Sequence, residues 1–216
     1  MSDSVRHPLF ARAFHRLSRL MERELGSQRD ELLAGLCGRV LELGAGNGAS
    51  FAHYPGTVDE VIAVEPEPYL RAKATQAAAR APRPVTVVDA VADALPVEDA
   101  GIDAAVCSLV LCSVPDQASA LAELRRVLRA GGELRFLEHV RSPTPGKARA
   151  QVLLDRSGAW PKLAGGCHCA RDTAAAIAGA GFQIERTHDF NLGPGWSITN
   201  PHLLGVAHAG SAEGEQ

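Results

Sequence analysis

Apolar positions along this chain follow two different periods. Between about Pro8 and Leu36 they recur every three to four residues, which predicts an amphipathic helix. Phe10, Phe14, Leu17 and Leu20–Met21 fall on one face of it, and Arg12, Arg16, Arg19 and Arg23 line another. From Arg39 onward short apolar runs alternate with helical stretches. The runs predict strands at Val40–Leu43, Val61–Glu65, Val85–Val88, Ile102–Cys107, Glu133–Glu138, Phe182–Thr187 and Leu203–Ala207. Helices are expected at Ala49–His53, Tyr69–Arg80, Gln117–Arg129, Lys147–Arg156 and Arg171–Ala180. Strands separated by helices need crossover connections, so the expected class is α/β with a mostly parallel sheet. The last two runs are joined through Gly193-Pro-Gly195 without a helical pattern, which predicts an antiparallel hairpin at the sheet edge. The chain then divides into an N-terminal helical cap (1–38), a ligand-binding domain (39–209) and a small, polar, acidic tail (210–216) expected to be disordered.

Composition narrows the function classes. With 216 residues there is room for one such domain and not for two. A net charge of −3 gives no drive toward a nucleic-acid backbone, so no nucleic-acid partner is expected. No apolar run approaches the roughly 18 residues that span a bilayer, and no signal-peptide core is evident. The basic face of the first helix leaves peripheral membrane contact open, but a solvated helix capping the domain, as a lid over the ligand cleft, is the better reading. The five cysteines (37, 107, 112, 167, 169) are odd in number and sit largely in apolar contexts, which suits reduced thiols in the cytoplasm.

The most informative stretch is Val40-Leu-Glu-Leu-Gly-Ala-Gly-Asn-Gly-Ala-Ser50. An apolar strand here runs into glycines at 44, 46 and 48, whose lack of a side chain allows a tight turn and lets a ligand lie on the main chain. A nucleoside cofactor suits such a turn, although an ordinary strand-to-helix turn would look similar. As Gly44-x-Gly46-x-x-Ala49 the pattern fits a dinucleotide, as in an NAD-dependent oxidoreductase. As Glu42-x-Gly44-x-Gly46-x-Gly48 it fits S-adenosylmethionine. Glu42 favours the second, because a carboxylate suits the methionine ammonium and repels a pyrophosphate.

In an open α/β sheet, ligands bind beyond the carboxyl ends of the strands where strand order reverses. The second strand ends at Glu65, placed to accept hydrogen bonds from both ribose hydroxyls. The third leads into Val88-Asp-Ala-Val-Ala-Asp-Ala-Leu-Pro96, whose small residues would let an adenine edge meet the backbone around Val91 and Ala92, with Asp89 or Asp93 near its amine. Ser108, at the end of the fourth strand, would floor the cleft, with Ala45 inside the turn completing the cofactor set.

This arrangement resembles the class I S-adenosylmethionine-dependent methyltransferases from about Arg39 to Ala209. The resemblance rests on the glycine turn, Glu65, Leu95-Pro96 before Gly101-Ile102-Asp103, and Leu124-Arg-Arg-Val-Leu-Arg-Ala-Gly-Gly-Glu-Leu134. Ala130 departs from the proline the family often has there. The resemblance implies a three-layer, Rossmann-like fold with a seven-stranded sheet and an antiparallel last strand. Ser108-Leu-Val-Leu-Cys-Ser-Val114, Phe136-Leu-Glu-His-Val140, Gly166-Cys167 and Pro201-His202 further resemble the alkyl thiol S-methyltransferases, the methyltransferase-like seven group, and their bacterial relatives. Animal members carry a hydrophobic N-terminal anchor. No such segment occurs here, so integral membrane residence is not expected.

The resemblance implies a small-molecule methyl acceptor, most simply a thiol, with a quinone or phenol (C- or O-methylation) or a lipid amine (N-methylation) as alternatives. Methyl transfer from a sulfonium mainly requires an aligned, deprotonated nucleophile. His139, directly after the fifth strand, is the first candidate to act as base or to polarise the acceptor, unless it is a hydrogen-bonded structural histidine. His168 is the second candidate, and Trp160 and His202 are expected to line the acceptor pocket. Cys167-His168-Cys169 suggests metal at first sight. The C-x-C spacing is poor for zinc and no second pair stands near, so no metal site is expected.

Overall fold

A computed structural model describes residues 8–210, without the side chains of residues 19–23. The tail at 211–216 and the side chains of Arg19, Leu20, Met21 and Arg23 therefore lie outside the described residues. The chain runs α1 (Pro8–Leu33), β1 (Gly38–Leu43), a 3-10 turn (Ala49–His53), β2 (Val58–Val64), α2 (Pro68–Ala78), β3 (Val85–Val88), β4 (Ile102–Ser108), α3 (Gln117–Val127) and β5 (Leu128–His139). It continues through α4 (Pro145–Ser157), α5 (Ala159–Leu163), α6 (Thr173–Gly179), β6 (Phe182–Phe190) and β7 (His202–Ala209). All seven expected strands form, and α5 is the helix that the periodicity did not show. It is five residues long and holds a proline, too short for a 3.6-residue pattern to register.

The strands form one seven-stranded sheet in the order β3-β2-β1-β4-β5-β7-β6. The pairs from β3 through β5 are parallel, and β7 runs antiparallel to both β5 and β6. The hairpin expected at the edge is present, but its second strand inserts between β5 and β6. Gly205 permits this insertion: a Cβ there would stand 2.4 Å from the Phe136 ring and 2.9 Å from the Arg186 carbonyl.

Alternation along the strands divides the core in two. Leu41, Leu43, Ala105, Cys107, Leu134 and Phe136 pack on one face with Leu121 and Leu124 of α3 and Ile177 of α6. Val40, Ala104, Val106 and Leu137 pack on the other with Leu25, Leu32 and Leu33 of α1 and Phe51 and Tyr54 beyond β1. Helix α1 is thus part of the main core along its C-terminal half. At its C-terminal end the carbonyls of Leu32 and Ala34 accept hydrogen bonds from the buried Arg135 guanidinium of β5, which satisfies groups a helix end leaves open.

The inward face of α1 differs from the expected stripe. Ala11, Ser18, Leu25 and Arg29 are buried, whereas Leu17 is 52% exposed. Small residues face inward because the helix lies close to the glycine turn, where Asn47 Nδ2 donates to Ser18 Oγ at 2.7 Å.

Gly205→Val would force the Phe136 ring and the β6 backbone aside, so a loss of about 1–3 kcal/mol is expected. Chemical denaturation measures it, and unchanged stability would show that β7 tolerates a side chain there.

Candidate active site

Strand order reverses between β1 and β4, so the crevice opens between the turn after β1 and the loop after β4. The two are in contact: a Cβ on Gly44 would stand 2.3 Å from Val110 Cγ2. Gly44, Gly46 and Gly48 have φ of 65°, 57° and 78°, a conformation strained for residues with side chains. The Glu65 carboxylate reaches back across β2 and accepts from the Gly46 amide at 2.7 Å and the Glu67 amide at 2.9 Å. Burial pushes Glu65 up to about 7, against the pull of those two bonds. Ala45, itself buried, donates its amide to the Val64 carbonyl and so ties the turn to β2.

Two expected cofactor residues serve the turn from behind. Glu42 lies on the α1 face of β1 and is only 2% exposed. Its carboxylate accepts from Tyr54 Oη at 2.9 Å, and burial raises it to about 7 despite that bond and the Arg29 charge. Strand alternation places its side chain on the α1 face beside Tyr54. A Cβ on Gly48 would collide with Phe51 and Ala77, so this glycine also serves the packing behind the turn.

Val91 and Ala92 are half-buried beside the end of β2, where Glu65 N donates to the Val88 carbonyl. Asp89 is held by Arg71 at 2.9 Å, and Asp93 is exposed. Sequence reasoning missed Arg126, whose guanidinium donates to the carbonyls of Leu95 and Val97 and to Glu123, fixing this loop. Its only signal was a charged residue in a helical pattern. Opposite, Ser108 closes β4 and Leu109 follows with φ 57°, strained for a leucine. Its amide donates to the Leu137 carbonyl at 2.7 Å.

These features fit S-adenosylmethionine. Main chain without side chains at Gly44 and Gly46, a Glu65 carboxylate able to accept from ribose hydroxyls and small residues at 91–92 stand together as a cradle at one edge of the sheet, with Val110 packed on Gly44 and Phe14 on Gly46.

The other end of the cleft is built by loops that converge beyond β4 and β5. Glu138, fully buried, accepts from the amides of Val110 (3.0 Å), Leu111 (2.8 Å) and Cys112 (3.1 Å). The loop after α5 is joined to this one by the His168 amide donating to the Cys112 carbonyl at 2.8 Å and by Arg171 donating to Leu111 O at 2.6 Å. Gly166 makes the approach possible, since a Cβ there would stand 2.8 Å from the Ser113 carbonyl. Cys167 consequently lies beside Cys112, and His139 Nδ1 stands 3.3 Å from Cys167 Sγ and 3.7 Å from Cys112 Sγ. Burial works against the imidazolium of His139, but the Cys112 contact and the Glu138 charge outweigh it and raise its pKa. The Cys167 neighbour and burial hold Cys112 well above the ordinary thiol range.

His168 turns its ring toward Asp155, 4.0 Å away, and keeps 37% of its side chain exposed. His202, expected to line the acceptor pocket, is 2% exposed and packs behind His139, with ring centroids 4.7 Å apart, and against Phe190. Burial and the His139 charge lower it to about 3. Trp160 sits on α5, its indole N–H buried without a partner among the described residues. Cys167 and Cys169 diverge, because the Cys169 thiol faces Asp155 Oδ1 at 3.5 Å. Over both ends of the cleft lies α1. Phe14 rests on Gly46, Phe10 on Gly165, and the two rings stack at 5.7 Å.

Residues 41–136 match the methyltransferase domain family. With the cradle described above, this makes the protein an S-adenosylmethionine-dependent methyltransferase of the class I fold, and sets aside the dinucleotide reading. The chain is 34% identical to the human thiol S-methyltransferase TMT1A over 86% of its own length and 77% of that protein's. It is 35% identical to mouse thiol S-methyltransferase TMT1B, over 92% and 82% respectively. It belongs to the family of these enzymes. In fold it is similar to a putative methyltransferase from Bacillus halodurans, with a TM-score of 0.70 at 15% identity, covering 86% of this chain and 98% of that one.

Gly46→Arg places a bulky cation in the cradle, and affinity for S-adenosylhomocysteine should fall at least about 100-fold. Melting temperature should drop only by the αL strain, of order 1–2 kcal/mol; calorimetric titration and a thermal melt separate the two. Burial pushes the Glu65 carboxyl up to about 7, so a role for its ionised form in accepting from ribose predicts that affinity declines as pH falls below about 7. Titrations at several pH values should show this slope in the natural protein and its loss in Glu65→Gln.

Proposed function

We propose that this methyltransferase transfers the methyl group to the sulfur of a small thiol. The observation that carries this reading is that the 34–35% identity to enzymes named thiol S-methyltransferases extends over 86–92% of the chain, which takes in the loops building the acceptor end. S-adenosylmethionine would supply an electrophilic methyl on a sulfonium. The protein's part is to hold it through Gly44, Gly46, Glu65 and the backbone at Val91 and Ala92, with Ser108 on the cleft floor. The acceptor would be aligned beside His139, where its proton must leave before the new S–C bond forms. Trp160 from α5 and His168 from the loop after it would support the same end of the cleft.

The N-terminal half of α1 acts in this reading as a lid. Its contacts at Gly46 and Gly165 support that role, as does Arg12 stacking over Tyr69 of α2 at 5.4 Å. Among the described residues no helix is long and apolar enough to cross a membrane. Five free thiols support a reducing compartment, and we place the enzyme in the cytoplasm.

A panel of acceptors tests the assignment: hydrogen sulfide, alkyl thiols, catechols, quinols and lipid amines, with products identified by mass spectrometry. S-methylated thiols are expected, and methylation confined to carbon, oxygen or nitrogen would overturn the thiol reading. In His139→Ala, kcat should fall by about 100-fold or more with little change in S-adenosylmethionine KM.

A further inference from the structure

Three ligand groups of the kind that bind zinc meet at the acceptor end of the cleft. Cys112 Sγ, Cys167 Sγ and His139 Nδ1 all lie within 4.8 Å of one another. The cysteines are 1% and 4% exposed, while His139 keeps some accessible surface. We propose that Cys112, His139 and Cys167 bind one zinc ion and leave a fourth position for the sulfur of the methyl acceptor. The acceptor half of this rests on the thiol reading above; the metal half does not.

Geometry favours the metal. A tetrahedral zinc with a Zn–S bond of about 2.3 Å and a Zn–N bond of about 2.0 Å sets its nitrogen and sulfur ligands about 3.5 Å apart. The two N···S separations here are 3.3 and 3.7 Å. Two thiolates and an imidazole form a set suited to zinc, and three protein ligands with one open position mark catalytic rather than structural sites. The surroundings hold each ligand in place, as metal sites require. Glu138 fixes the Cys112 backbone through three amides, the His168 amide fixes its carbonyl, and Gly166 lets Cys167 approach. His202 buttresses the His139 ring, with both of its own nitrogens buried and without hydrogen-bond partners among the described residues. The sequence pointed away from metal because Cys167 was weighed with its neighbour Cys169. Its partners instead stand 28 residues away at His139, and 27 further residues back at Cys112.

The site would answer the main chemical demand on a thiol methyltransferase, which is a thiolate at neutral pH. Metal coordination deprotonates a thiol outright. The acceptor thiol gives up its proton to solvent as its sulfur takes the fourth position. That thiolate then forms a bond to the methyl carbon, and the electron pair of the broken carbon–sulfur bond stays on the sulfur of S-adenosylhomocysteine. One proton is released per turnover, and no oxidant or reductant is needed.

The test uses the full chain, stripped with a chelator under reducing conditions and then titrated with zinc or cobalt(II) salts alone. One zinc per chain by plasma mass spectrometry is expected, together with thiolate-to-cobalt charge-transfer absorption. Cys112→Ser, Cys167→Ser and His139→Ala should each weaken metal binding by about 100-fold or more. Cys169→Ser, whose thiol faces Asp155, should bind as tightly as the natural protein. Thermal shift with S-adenosylhomocysteine identifies variants that remain folded, and the natural protein alone decides the stoichiometry if none does. Failure of the natural chain to retain metal, or equal loss in Cys169→Ser, would overturn the site, as would a Cys112–Cys167 disulfide in a chain that binds no zinc once reduced. An alkyl thiol should alter the cobalt spectrum. An unaltered spectrum with a thiol that is nonetheless methylated would overturn the acceptor role. A normal cobalt site in a protein that methylates no thiol would sink the thiol reading and leave the metal site standing.

Discussion

The site depends on one buried carboxylate. Glu138 is removed from water at the end of β5, where a lone charge would be costly, and three backbone amides from the loop after β4 offset that cost. Burial still raises its pKa, so the arrangement holds only while all three donors remain in place. Through them Glu138 fixes the course of residues 110–112. Val110 is set against Gly44, closing the crevice floor, and Cys112 is set beside His139. The strained turn at Leu109 persists because the amides on its far side have no better partner.

The cleft has two halves with different builders. The cofactor half is made by backbone: glycines with positive φ, carbonyls at strand ends and a carboxylate that bridges β2 to the turn. The acceptor half is made by side chains from segments far apart in sequence, gathered by Arg171, Gly166 and the Cys112 carbonyl. A single sheet supplies both, because the parallel strands from β3 through β5 all present their carboxyl ends at the same edge.

That difference explains what could be read from the chain. All seven strands and their class were legible because alternation and apolar runs are local signals, and the glycine turn was legible because its chemistry sits within five residues. The insertion of β7 beside β5 was not, since strand order depends on Gly205 facing Phe136 across the sheet. Glu42 was read as a ligand because its position in the motif is right, yet strand parity turns it toward Tyr54. Along α1 the apolar stripe was legible at Phe10 and Phe14, which pack on the cleft glycines, but not at Leu17, which is exposed. At a close crossing it is Ala11 and Ser18 that fit. The grouping of Cys112, His139 and Cys167 had no local signature at all, and only the meeting of two loops with the end of β5 makes it visible.

Phe10 and Phe14 give the molecule one roof over two pockets. Each ring covers a different glycine, but both ride on the same rigid helical segment, one turn apart. The two ends of the cleft are therefore coupled through one helical turn: a displacement of this segment would uncover Gly46 and Gly165 together, and neither glycine could be bared alone.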